Sequence, residues 1–97
     1  MLGYTVEKTP TTGDQGVDLI IAGKGRRIAV QCKGYKNRVG NAAVQEVYAG
    51  ATFYGCQECA VITNSSFTSG AINLARTVGC QLIDSKALPA LIRGEVY

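Results

Sequence analysis

Apolar and polar positions alternate at the start of the chain and later recur every three to four residues. Tyr4 to Thr9 alternates and predicts a short strand. Pro10 to Gly16 is dense in Pro, Thr, Gly and Asp, which predicts a turn. Val17 to Ala22 predicts a second strand. Gly23-Lys24-Gly25 is a tight turn, making a hairpin into a third strand over Arg27–Lys33. Gly34 to Gly40 reads as a basic loop. From Asn41 to about Tyr54 the period becomes helical, with Val44, Val47, Tyr48 and Ala51 at i, i+3, i+4 and i+7, and Gly55 ends it. Ala60 to Thr63 is a short apolar run bounded by Asn64-Ser65-Ser66, a buried strand. Thr68 suits a helix N-cap, with Phe67 placed to staple onto Ile72. Ala71, Leu74, Ala75 and Val78 form that helix's buried stripe, and Gly79 suits its left-handed C-terminus. Gln81–Ile83 is a last strand. A final helix is expected from about Ser85 through Arg93, with Pro89 near its first turn.

The order is β-β-β-α-β-α-β-α. A three-stranded meander that feeds two strand–helix units predicts an α/β fold, a mixed sheet flanked by helices. At 97 residues the chain is expected to be a single domain over 1–97. A hydrophobic share of 46% with 18% charged residues excludes a disordered tail. No apolar run approaches the roughly 18 residues of a membrane span. No signal-peptide pattern opens the chain, so a cytoplasmic, reduced setting is expected. The chain has no histidine, which excludes triads, Cys–His dyads and imidazole acid–base work.

Net charge is only +3, but its distribution is uneven. Between Leu19 and Gln45 there is no acidic residue, and Lys24, Arg26, Arg27, Lys33, Lys36 and Arg38 supply six of the ten basic groups. That patch suits a polyanion, or is simply a solvated basic surface. Cys56-Gln57-Glu58-Cys59 has the spacing of a zinc or redox motif, yet no second pair and no His accompany it. Cys32 and Cys80 sit singly in strand-like runs, where free buried thiols are the commoner reading.

The third strand carries the most pointed chemistry. Side chains two apart share a face, so Ala29, Gln31 and Lys33 lie together, opposite Ile28, Val30 and Cys32. Hairpin pairing brings Asp18, the only acid of the second strand, beside Gln31 and Lys33. A carboxylate, an amide oxygen and a lysine suit phosphodiester hydrolysis. Oxygen ligands hold a hard cation such as Mg²⁺, and the lysine orients a water or offsets developing charge. The plainer reading is a salt bridge between Asp18 and Lys33.

Gly3-Tyr4-Thr5-Val6, Thr12-Gly13-Asp14-Gln15-Gly16-Val17-Asp18-Leu19 and Ile28-Ala29-Val30-Gln31-Cys32-Lys33 appear in the order found in one family. Val39-Gly40, Val44-Gln45-Glu46-Val47 and Val61-Ile62-Thr63-Asn64-Ser65-Ser66-Phe67-Thr68 follow. From Gly3 to about Leu91 the chain resembles the Mrr-like restriction endonuclease domain, of the PD-(D/E)xK nuclease superfamily, in its Q-x-K form. The resemblance implies a restriction-endonuclease-like fold and DNA cleavage with Mg²⁺ or Mn²⁺. It implies Asp18 and Gln31 as metal ligands, Lys33 as the catalytic lysine and Gln45 as a helical polar residue bordering the site. Asp14 is expected to cap its turn. Double-stranded DNA is the expected partner, contacted by Arg26, Arg27, Lys36 and Arg38.

Family members usually carry a helix ahead of the Gly-Tyr strand that presents a glutamate. The chain begins at Met1-Leu2-Gly3, so that helix is expected to be missing. Neither Glu7 nor Glu46 matches the absent acid, which leaves Asp18 as the charged ligand unless a partner chain supplies another. An apolar face left bare favours a homodimer, with Tyr48, Phe53 and Tyr54 as candidates to cover it. The alternative function is a catalytically impaired DNA-binding or homo-oligomeric module of the same fold.

Overall fold

The computed structural model describes residues 3–9, 16–34 and 37–86. Residues 10–15 with Asp14, residue Lys36 and residues 87–93 of the expected last helix lie outside the described residues, and Ser85 and Lys86, at the expected start of that helix, form a turn. Five strands and two helices follow one another: β1 (Thr5–Lys8), β2 (Leu19–Gly23), β3 (Arg26–Lys33), α1 (Asn41–Phe53), β4 (Glu58–Thr63), α2 (Ser69–Val78) and β5 (Gln81–Ile83). They form one sheet in sequence order, β1-β2-β3-β4-β5. The first three strands are antiparallel, and β3, β4 and β5 run parallel. This is the mixed sheet of the expected α/β fold.

Topology follows from connection length. Gly23 to Arg26 closes a tight hairpin, in which Lys24 and Gly25 both take positive φ (54° and 74°) as the turn requires. Parallel neighbours need a long crossover, and α1 and α2 supply the two. Both crossovers advance the sheet in one direction. Right-handed connections therefore put both helices on the same face, where they also touch each other. Ile20, Ala29, Cys59 and Val61 of the sheet bury there with Ala43, Val44, Val47, Ala51, Ala71 and Ala75 of the helices. A second buried group, Ile21, Ile28, Val30 and Ala60, lies on the opposite face. Burial of each valine or isoleucine side chain among these contributes about 1.5–3 kcal/mol.

Some local expectations are met and others shift. Thr68 caps α2, accepting from the Ala71 amide at 3.1 Å, and Gly79 closes it at φ 76°. Phe67 enters the core, but Ile72, its expected staple partner, stays 41% exposed. The buried stripe of α1 runs through Ala43, Val47 and Gly50 as well as Val44 and Ala51. Tyr48 therefore lies on the rim at 49% exposure. Cys32 is exposed rather than buried, because it sits at the end of β3. Cys59 and Cys80 are buried. Their mutual hydrogen bond, with burial, pushes the Cys80 thiol up.

Candidate active site

The hairpin register determines what meets Gln31. Leu19 pairs with Val30 and Ile20 with Ala29, so the ladder continued by one residue sets Asp18 opposite Gln31. The Asp18 amide donates to the Val30 carbonyl at 2.8 Å, and Asp18 Oδ2 accepts the Cys32 amide at 2.7 Å. Two backbone anchors on either side of Gln31 thus hold this carboxylate. Thr9, at the end of β1, donates from its hydroxyl to the Asp18 carbonyl at 3.0 Å and fixes the strand from the other edge. Asp18 itself is exposed.

Gln31 and Lys33 share the α1 face of β3, as the pleat requires. Gln31 is only 6% exposed. Its Nε2 donates to Glu46 Oε1 at 3.1 Å, and Lys33 Nζ lies 3.6 Å from the same oxygen. Gln31 Oε1 is buried with no hydrogen-bond partner among the described residues. Leaving such an oxygen unsatisfied costs about 1–3 kcal/mol, so it calls for a partner beyond the described side chains. The expected Asp18, Gln31 and Lys33 are brought to one end of the sheet.

The helical residue that reaches this group is Glu46. Gln45 is exposed and lines a shallow apolar groove of about 150 Å³ with Val44, Tyr48, Leu74 and Val78, between α1 and α2. One residue is about 100° of helix rotation, enough to separate the two faces. A signal for Glu46 did exist. It lies between Ala43 and Gly50, small residues at i−3 and i+4 that let α1 approach the sheet closely. Gly16 completes the approach, since a Cβ there would stand 2.6 Å from the Glu46 carbonyl oxygen.

The basic residues divide. Arg26 opens β3 and Lys33 ends it, seven residues or about 23 Å apart. Arg26 donates two hydrogen bonds to Glu58, at 2.5 and 2.6 Å, which hold the Glu58 carboxyl below its usual range. Arg27 donates to the Tyr54 carbonyl at the C-terminus of α1, at 3.4 Å. Both stand at the far end of the sheet from Asp18. Arg38 is exposed at the near end and donates to the Phe67 carbonyl at 3.2 Å. Lys36 lies outside the described residues.

Among the described residues no three His, Cys, Asp or Glu side chains gather as a metal site. The oxygens around Gln31 come instead from two carboxylates and an amide. No described helix is long and apolar enough to cross a membrane.

A family model described as a restriction endonuclease, Mrr_cat, matches residues 1–92. No curated protein matches the chain. Among solved structures, AF1548, a protein of unknown function, superposes with a TM-score of 0.72 at 22% identity, covering 84% of this chain and 50% of its own. The DNA modification-dependent restriction endonuclease AspBHI superposes with a TM-score of 0.73 at 19% identity, covering 97% of this chain and 27% of its own. At these identities the likeness establishes the fold. The chain spans half the length of the first and about a quarter of the second.

Proposed function

Because the chain belongs to the Mrr_cat restriction endonuclease family, we propose that it hydrolyses DNA phosphodiester bonds by a divalent-metal and lysine mechanism. The observation that carries this reading is the buried, unpartnered Gln31 Oε1 beside Asp18. A neutral amide oxygen next to a fixed carboxylate is a donor set that fits a hard cation. Asp18 and Gln31 are the residues that would hold it. When bound, Mg²⁺ or Mn²⁺ acidifies a water and offsets charge on the scissile phosphate.

The protein's own residues supply the remainder. The Cys32 amide fixes Asp18 Oδ2, and the second carboxylate oxygen is the one that would be offered to the cation. Lys33, with its side chain 22% exposed, is reachable by a phosphate yet held at Glu46. Its ammonium orients the attacking water or offsets the charge that develops on the phosphate. Arg38 lies on the same end of the sheet and supports contact with the DNA backbone. The reading includes a homodimer, supported by Tyr48 at 49% and Phe53 at 65% exposure on α1. Sedimentation that returns a monomer at all concentrations removes that part.

The test is cleavage of supercoiled plasmid DNA with Mg²⁺ or Mn²⁺ at enzyme excess. Asp18→Ala is expected to abolish cleavage and Lys33→Ala to slow it at least ~100-fold. Equal cutting by wild type and both variants, or no cutting by wild type, defeats the proposal. Retained DNA binding without cutting would identify the chain as a binding module of the same fold.

A further inference from the structure

The chain has seven acidic residues. Among the described ones, Glu7 lies on the exposed edge strand β1, Glu58 is engaged by Arg26, and Asp84 accepts the Lys86 amide beyond β5. Asp18 and Glu46 are the two that flank Gln31. Glu46 Oε1 accepts Gln31 Nε2 and stands 3.6 Å from Lys33 Nζ. A carboxylate only accepts, so it is the Gln31 NH₂ that meets Glu46, and the neighbouring carbonyl oxygen is left without that partner. That oxygen is the buried orphan.

Resting on the nuclease reading above, we propose that Glu46 is the second carboxylate of the cation site, acting with Asp18 and Gln31 Oε1. One carboxylate and one amide offer a single negative charge to a dication. Glu46 raises that to two, within the one or two carboxylates by which Mg²⁺ is usually bound. Its two oxygens divide the work: Oε1 accepts from Gln31 Nε2 and lies beside Lys33 Nζ, and Oε2 would be the one offered to an ion. The close seat of Gly16 on the Glu46 backbone holds α1 at the distance this needs. The Glu46 side chain is 52% exposed, which a site that admits a phosphate requires. If Glu46 only paired with Lys33 as a surface ion pair, removing it would leave cation affinity unchanged.

The test reads Mn²⁺ binding by calorimetry, without DNA, for wild type, Asp18→Asn, Glu46→Gln and Glu46→Asp, with a thermal melt of each. Glu46→Gln is expected to weaken binding at least ~10-fold, as Asp18→Asn does. Glu46→Asp keeps the charge but withdraws the carboxylate by one methylene, and is expected to weaken it comparably. If Asp18→Asn loses affinity while Glu46→Gln binds as wild type does, the role of Glu46 is overturned and the nuclease reading stands. Wild-type affinity in Glu46→Asp with loss in Glu46→Gln also overturns it, since charge alone then suffices. If wild type binds no Mn²⁺ at millimolar concentration, both readings fall. Should Glu46→Gln melt early, Glu46→Asp decides alone.

Discussion

Gln31 is neutral, 6% exposed, and bordered by Asp18, Lys33 and Glu46. Its polar ends have unlike fates, since the NH₂ is satisfied by a carboxylate and the oxygen is not. On the reading proposed above, that asymmetry is what a ligand position would show, since a core glutamine commonly satisfies both ends. The arginines show the converse. Arg26 and Arg27 belong to a basic run in the sequence, yet one is held by Glu58 and the other by the end of α1. Arg26→Ala is accordingly expected to leave DNA affinity and its salt dependence unchanged. Arg38→Ala should weaken binding and reduce the magnitude of the log–log salt slope by about one. Fluorescence anisotropy across a salt series checks both; an Arg26 variant with the larger change would reverse the assignment.

At the scale of elements, α2 shows how local chemistry sets a helix. Thr68 satisfies the Ala71 amide, and Gly79 takes the left-handed φ at the other end. Thr68→Ala is expected to cost about 1 kcal/mol, or about 4–8 °C in melting temperature for a domain of this size. Calorimetric melts measure it, and an unchanged melt would show the cap to be dispensable. The cap also matters for position, because Gly70 in its first turn lies against Asn41, the first residue of α1. α1 has no such side-chain cap, since Gly40 precedes it. Packing against the sheet orients it instead, and this is why its buried stripe departs from the simple period through Tyr48.

At the scale of the whole molecule, the site depends on three segments meeting at one end of the sheet: the approach to β2, the end of β3 and the second turn of α1. Gly16 joins the first and third. A methyl group there would stand 2.6 Å from the Glu46 carbonyl oxygen and 2.8 Å from its Cβ, at a φ of +70° that L residues rarely take. Gly16→Ala is therefore expected to cost about 1–3 kcal/mol through overpacking. It should also displace Glu46 and weaken Mn²⁺ binding. A paired melt and cation titration tests this; an unchanged cation affinity would free Glu46 from dependence on that contact. The sequence by itself determined the described strands and helices, the mixed sheet, and the meeting of Asp18, Gln31 and Lys33 at one end of it. Each follows from a short-range period or a hairpin a few residues long. Only the tertiary structure decided that Glu46 rather than Gln45 meets Gln31, and that Arg26 and Arg27 are held at the far end of the sheet by Glu58 and the end of α1. Those outcomes depend on the rotation of a helix reached through a crossover and on contacts 15 to 32 residues apart, which no local pattern encodes.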